Sequence, residues 1–419
     1  MATMRLLIKN IQTLAGIVPA DKLRLCGAEM GAAAIIDGAY LVAEDGVISD
    51  FGPMAQLPAE LVADTEIDAE GRVVYPAFCD SHSHIVYAGS REGEFRDKIA
   101  GMTYEEVAAR GGGILNSADR LAEATEQELY EAASRRAWRM VRSGAATIEI
   151  KSGYGLTTES ELKMLRVIKR LAQELPITVK ATFLGAHAVG RAFKGRQEEY
   201  VDHVCSEMIP AVAAEGLAEF VDVFCDRGFF TPEQTAKILE CGKRYGLRPK
   251  IHANELASSG GVQVGIAYGA LSVDHLEEAT EQDVADLAAS DTIPTVLPGA
   301  SFFSNLPFAP ARMMIDKGLS VAIASDCNPG SSPSGNMQLL WSLGCIKMRL
   351  TPEEALSALT INGAAALGLS ADRGAISRGR RADLVISKPV PSLAYIPYSF
   401  GEELVERVIV KGKTIYYNE

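Results

Sequence analysis

Apolar positions change their spacing twice along the chain. Up to residue 72 they come in brief runs, Leu6-Leu7-Ile8-Lys9-Asn10-Ile11, Ala34-Ile35-Ile36, Tyr40-Leu41-Val42 and Val47-Ile48, split by Gly, Asp and Asn. Short runs between turn formers predict strands and hairpins. The same texture returns in residues 373–419, with Ala382-Asp383-Leu384-Val385-Ile386, then 405–410, then Thr414-Ile415-Tyr416-Tyr417 beyond a Lys411-Gly412-Lys413 turn. Neither end has much core of its own to bury, and chain termini often lie close together. The two ends are therefore expected to meet in one small composite β-sandwich, its first part residues 1–72 and its second 373–419.

Residues 73–372 read differently. Buried-strand runs at 73–79, 146–150, 177–183, 220–224, 248–251, 272–273, 293–296 and 320–324 alternate with amphipathic stretches at 126–143, 158–174, 232–245 and 281–289. The amphipathic stretches have apolar residues at i, i+3 and i+4 with Gly or Pro near their ends, the pattern of helices. About eight strand–helix units imply a parallel sheet covered by helices, and the length suits closure into a (β/α)8 TIM-type barrel, an α/β fold. A doubly wound open sheet is the alternative, but no Gly-x-Gly-x-x-Gly follows a first strand.

Composition narrows the function classes. The 419 residues are 47% hydrophobic and 23% charged, which excludes wholesale disorder. Lys plus Arg number 41 against 54 Asp plus Glu, a net charge of −13. Such a chain lacks the basic footprint of nucleic-acid or anionic-membrane binding, and no run approaches the ~18 apolar residues of a membrane span. The start, MATMRLLIKNIQTL, lacks the apolar core of a secretory signal, and the seven cysteines are scattered with no CxxC. A cytoplasmic protein acting on a small molecule is expected.

Of the six histidines, His82, His84, His187, His252 and His275 fall at or just beyond the ends of predicted strands, while His203 does not. In a barrel those ends form the catalytic face. In Cys79-Asp80-Ser81-His82-Ser83-His84 the two histidines are two apart, so an extended chain points both to one side. His252, in Lys250-Ile251-His252, and Asp326, after Val321-Ala322-Ile323-Ala324-Ser325, are the third and fourth candidate ligands. A buried lone aspartate is costly unless paired or bound to metal. Three imidazoles and one carboxylate suit zinc or a similar divalent ion. His275 is either a further ligand or a base beside the site. Cys79 and Cys327 flank it with no evident partner base.

These segments resemble the metal-dependent amidohydrolase superfamily and, within it, the imidazolonepropionase family. The resemblance rests on the HSH strand end, KIHANE, SVDHL and ASD, and covers nearly the whole chain. Tyr87-Ala88-Gly89-Ser90-Arg91-Glu92, Gly111-Gly112-Gly113-Ile114, Lys151-Ser152-Gly153-Tyr154-Gly155-Leu156, Leu184-Gly185-Ala186-His187-Ala188 and Asp326-Cys327-Asn328-Pro329-Gly330-Ser331-Ser332-Pro333 are its more specific parts. The resemblance implies His82, His84, His252 and Asp326 as ligands of one metal ion, zinc ahead of iron. It implies Arg91, Tyr104, Tyr154, His187, Glu255, Asn328, Gly330 and Ser331 as contacts to substrate or product. Asn254 stands where the family usually has an acid, and Ser83 where it usually has Thr. Lys151 lies on an earlier strand than the carboxylated lysine of two-metal relatives, which favours a single-metal site.

The implied activity is hydrolysis of the cyclic amide of 4-imidazolone-5-propanoate to N-formimidoyl-L-glutamate in histidine degradation. Asp326, His275 and Glu255 would share the proton transfers. The guanidinium of Arg91 would bind the propionate of this anionic substrate. No nucleic-acid or membrane partner is expected, and a homodimer is left open. Two other readings remain: a deaminase of the same superfamily acting on a nucleobase-like ring, and a metal-free structural homologue.

Overall fold

The computed structural model describes residues 4–102 and 113–418. Tyr104 and the Gly111-Gly112 pair lie outside the described residues.

The strands are β1 (Arg5–Ile17), β2 (Ala34–Glu44), β3 (Val47–Pro53), β4 (Thr65–Asp68) and β5 (Val73–Pro76), then β6 (Phe78–Asp80), β7 (Ala145–Lys151), β8 (Thr178–Ala186) and β9 (Phe220–Cys225). They continue with β10 (Arg248–Pro249), β11 (Ile251–Ala253), β12 (Ser272–His275), β13 (Ile293–Val296) and β14 (Ala322–Ile323), and end with β15 (Leu384–Ser387), β16 (Val405–Val410) and β17 (Lys413–Tyr417).

The chain ends meet in one sheet of order β17-β16-β15-β5-β1-β2-β3, with β4 alongside β1. β5 is the seam, parallel to β1 and antiparallel to β15. Period-two alternation explains its two faces. Val74, Leu384 and Ile386 join Leu6, Ile8, Leu41 and Ile67 in the sheet's own apolar core. Their chain neighbours Val73, Tyr75 and Val385 face the other way, into the core of the barrel. There Tyr75, Phe78 and Trp341 pack with ring centroids 5.6–5.9 Å apart. The two runs at 34–36 and 40–42 are a single strand, β2.

The second sheet is wholly parallel, in the order β14-β13-β12-β11-β9-β8-β7-β6, with β10 staggered beside β9. It is an eight-stranded barrel, nearly closed. The seam between last and first strands is made by Asp326 N–H donating to His82 O and His84 N–H donating to Cys327 O, both at 2.9 Å. Ser325 adds its N–H and hydroxyl to the two carboxylate oxygens of Asp80, at 2.7 and 2.6 Å.

The run at 73–79 is two strands rather than one. Ala77 N–H donates to Asp383 O in the terminal sheet, while Phe78 N–H donates to Gly144 O in the barrel. Pro76, with no N–H to continue the first ladder, stands at the break. The helices Glu126–Arg142, Thr158–Glu174, Pro232–Arg244 and Glu281–Ala288 match the expected stretches to within a residue. Each begins after a threonine (Thr125, Thr157, Thr231 or Thr280) whose hydroxyl accepts a backbone N–H of the first turn. Among the described residues no helix is long and apolar enough to cross a membrane.

Candidate active site

β6 ends at Asp80, and the extended residues beyond it carry His82 and His84 across the barrel mouth. His84 Nε2 lies 3.2 Å from His82 Nε2 and 3.4 Å from His252 Nε2. Asp326 Oδ1 is 3.5 Å from both His82 Nε2 and His84 Nε2. All four side chains are buried. His82 Nδ1 is 2.7 Å from Asp274 Oδ2, and His252 Nδ1 is 2.9 Å from Asp222 Oδ2. With Nδ1–H turned to a carboxylate, Nε2 is left with its lone pair facing the centre. Burial holds the pKa of His82 and of His84 well below the ordinary value; the charge of Lys151 adds to this for His82, and His187 for His84. Lone pairs facing one another at 3.2–3.5 Å repel unless a cation lies between them. Tetrahedral ligands at about 2.0–2.1 Å from an ion stand about 3.3–3.4 Å apart, so these residues fit a divalent cation.

Behind these four side chains lies an interior network that sequence reading missed. Lys151 Nζ is 2.8 Å from both Glu149 Oε1 and Asp222 Oδ2, and 3.6 Å from Asp274 Oδ2. Lys250 Nζ donates to Ser81 O at 2.8 Å and to Glu149 Oε2 at 3.0 Å. All five charged side chains are fully buried. Thus Lys151 and Lys250 stand among three buried carboxylates, two of which, Asp274 and Asp222, hold His82 and His252 in place. The signal was available: Glu149, Asp222 and Asp274 are acids inside apolar parallel strands, where a charge must be paired.

The substrate candidates surround the same point. His187 Nδ1–H donates to Gly153 O at 3.1 Å, and its ring stacks on His84 at 5.3 Å. Burial pulls its pKa down to about 3, with His252 adding to the shift, so the ring is neutral. Gly153, at φ +105, allows this approach, because a Cβ would stand 3.0 Å from His187 Nδ1. Tyr154 is buried, 5.3 Å from His187 between ring centroids. Burial raises its pKa; the charge of Arg91 opposes this and that of Asp326 adds to it, so both charges act on the phenol.

Arg91 leads into the helix Glu92–Ile99, and its Nε and Nη2 both donate to Glu94 Oε2, at 2.8 and 2.5 Å. One edge of the guanidinium is therefore already engaged. Nη1 abuts Gly330, where a Cβ would come within 2.4 Å of it. Asn328 ties that loop to Asp326: its Oδ1 accepts the N–H groups of Gly330 and Ser331, and its Nδ2 donates to Asp326 O. Ser331 Oγ is 3.3 Å from Asp326 Oδ2.

On the opposite side Glu255 and His275 pair, Oε2 to Nε2, at 3.6 Å. Burial pushes the Glu255 carboxyl up to about 7, against the pull of His275. Burial alone would lower His275, but Glu255 and Glu277 outweigh it and raise its pKa well above the usual value. His203, as expected, stands apart, 3.2 Å from Thr158 Oγ1.

The amidohydrolase family model matches residues 73–415 of this chain. The imidazolonepropionase of Flavobacterium johnsoniae is 52% identical over 409 residues, 98% of this chain and 99% of that protein. That of Geobacillus kaustophilus is 43% identical over 411 residues, 97% and 96% of the two chains. This chain belongs to the amidohydrolase family, among its imidazolonepropionases.

Solved amidohydrolase-like structures agree on the fold. A triazine hydrolase variant superposes with a TM-score of 0.79 at 17% identity, covering 99% of this chain and 95% of that one. Guanine deaminase of E. coli gives 0.73 at 14%, with both chains fully covered. An adenosine deaminase from Xanthomonas campestris, solved with bound zinc, gives 0.71 at 16%, covering 98% and 92%.

Two positions singled out by comparison with other amidohydrolases can now be placed. Lys151 Nζ is held 2.8 Å from two carboxylates; burial would lower its pKa, but Asp222, Glu149 and Asp274 raise it, surroundings that suit an ammonium rather than a carboxylated amine. Asn254, in place of the usual acid, adopts the left-handed conformation (φ +57) and donates to Asp283 Oδ2 at 3.0 Å. The acid beside His252 is Asp222, from the neighbouring strand, so the departure at 254 leaves the His252 ring supported. Burial pushes the thiols of Cys79 and Cys327 up to about 12, which removes both as nucleophiles at neutral pH.

Proposed function

We propose that this chain hydrolyses the cyclic amide of 4-imidazolone-5-propanoate to N-formimidoyl-L-glutamate, a step of histidine degradation. Its relatives of 41–52% identity are imidazolonepropionases. The observation that carries the reading is the placement of the Arg91 guanidinium against Gly330, on the loop that continues from Asp326. A cation for a carboxylate tail and a cluster of metal ligands then share one short segment.

His82, His84, His252 and Asp326 would hold the metal ion, zinc in preference to iron on the donor set. Bound there, a divalent ion lowers the pKa of water towards ~7 and polarises a carbonyl. Arg91, with Tyr154, orients the propionate through the end of its guanidinium that Glu94 leaves beside Gly330. His187 is neutral, so it meets the substrate without added charge. Asp326 takes the proton of the attacking water; His275, held protonated between its two carboxylates, gives one to the ring nitrogen that leaves and is reprotonated at the end of the cycle. Glu255, with its pKa near 7, can bond a ring N–H or exchange a proton with His275 Nε2.

The direct test follows loss of imidazolone absorbance together with appearance of formimidoylglutamate; release of ammonia without that product would mark a deaminase instead. Arg91→Ala should lower kcat/KM on the propionate substrate about 10–100-fold, the effect of losing a charge-assisted bond of about 1.5–3 kcal/mol. An imidazolone lacking the tail should lose little, with metal content unchanged. Equal loss on both substrates would remove the support for a carboxylate-bearing substrate.

A further inference from the structure

β12 ends in an unusual way: His275 has φ +86 and Leu276 φ +71, two consecutive non-glycine residues in the region that L side chains avoid. Strain of this kind persists only where surrounding contacts over-determine it. It aims the His275 ring between two carboxylates, with Nε2 3.6 Å from Glu255 Oε2 and Nδ1 3.3 Å from Glu277 Oε2. The Glu277 side chain is completely buried. Its Oε1 accepts the hydroxyl of Ser301, at 3.0 Å, from the helix Pro298–Ser304. Its Oε2 has no hydrogen-bond partner among the described residues, and neither has His275 Nδ1. A buried carboxylate oxygen and a buried ring nitrogen that face each other, each otherwise unsatisfied, are each other's complement.

We infer that Glu277, held by Ser301, is the positioning residue for His275: Oε2 takes the Nδ1 proton and so turns Nε2 towards Glu255 and the metal-ligand cluster. The inference rests on the proposed hydrolysis for its effect on rate, but not for its effect on the ring. An imidazole can present only one chosen nitrogen to a reaction if something fixes the other. Where such a carboxylate is replaced by an amide, the geometry survives and the wrong tautomer is imposed. Here the direction is set by Ser301. In Glu277→Gln the amide oxygen keeps the Ser301 hydroxyl, and the NH2 faces Nδ1, which must then give up its proton.

The test uses zinc-loaded full-length protein with ¹⁵N-labelled histidine. Long-range ¹H–¹⁵N spectra should show His275 protonated at Nδ1 in the wild type and at Nε2 alone in Glu277→Gln. On the propionate substrate kcat should fall about 100-fold or more, with KM changed less than about threefold and zinc content unchanged. Glu277→Asp, which restores a carboxylate, should recover part of kcat. Ser301→Ala, which keeps the buried acid, should cost kcat about 3–10-fold and stay folded if Glu277→Gln does not. A moved tautomer in a protein whose wild type does not open the imidazolone would sink the proposed hydrolysis and leave the positioning role standing. An unchanged His275 spectrum, or a fall in kcat matched by loss of zinc, would overturn the positioning role.

Discussion

Asp222 makes two kinds of contact with His252 and one with Lys151. Its Oδ2 is 2.9 Å from His252 Nδ1 and 2.8 Å from Lys151 Nζ, and its Oδ1 accepts the His252 backbone N–H at 3.1 Å. Burial would raise its pKa, but the His252 ring and Lys151 beside it outweigh that and hold the carboxylate ionised. An orienting partner of a metal ligand commonly contributes 10–100-fold in affinity. Asp222→Asn should therefore weaken zinc binding by about that factor in competition with a chelating dye, with the circular dichroism unchanged. Retention of affinity to within twofold would show that packing alone orients His252. At this scale His82, His84, His252 and Asp326 were legible as candidate ligands, because three imidazoles and a carboxylate at strand ends are residue types suited to a metal, and the structure brings them within 3.2–3.5 Å of one another. Asp222 and Asp274 were not singled out, since acids have many uses and only proximity assigns one.

The KSGYGL segment shows what one element does for a neighbouring loop. Glu161, in the first turn of the helix Thr158–Glu174, accepts the backbone N–H groups of Gly153, Gly155 and Leu156 at 2.8–3.1 Å. Gly155 must stay a glycine, since a Cβ would meet Glu161 N at 2.4 Å. The buried carboxylate thus holds the loop that presents Tyr154. Glu161→Gln replaces one acceptor oxygen by a donor and leaves backbone N–H groups unsatisfied, a cost of about 1–3 kcal/mol. The melting temperature should fall by a few degrees and KM for the propionate substrate should rise, with zinc content unchanged. A variant that melts lower with unchanged KM would separate Glu161 from Tyr154. Helix starts were legible here because apolar periodicity is a local property; the threonine caps that fix them appear with the structure. The 73–79 run was misread as one strand because both halves are equally apolar, and its division depends on two distant partners, Asp383 and Gly144.

Across the whole molecule the interior network ties β7, β9 and β12 to the residues beyond β6. Lys151 on β7 reaches Asp222 on β9, and Lys250 reaches both Glu149 and the carbonyl of Ser81. Lys151→Met removes the ammonium and leaves Glu149 and Asp222 buried without their shared cation. Breaking a buried pair in this way costs about 3–5 kcal/mol. Urea unfolding should show a loss of that order, together with weaker zinc binding. A variant as stable as the wild type would mean that water or protonation compensates inside the barrel.

Periodicity was enough for the architecture, because a period of 2 or 3.6 is a property of each element alone. It separated terminal sheet from barrel, placed four of the barrel's helices, and put five histidines at strand ends, which the fold gathers at one mouth. Tertiary structure decided what depends on residues far apart in the chain. Glu94 takes one edge of the Arg91 guanidinium only because a helix turn brings it back. Asp222 and Asp274 reach His252 and His82 because parallel strands lie side by side, and Glu277 meets Ser301 across 24 residues. A single chain records which charges exist. Which of them are paired is settled by distances that appear only when the barrel closes.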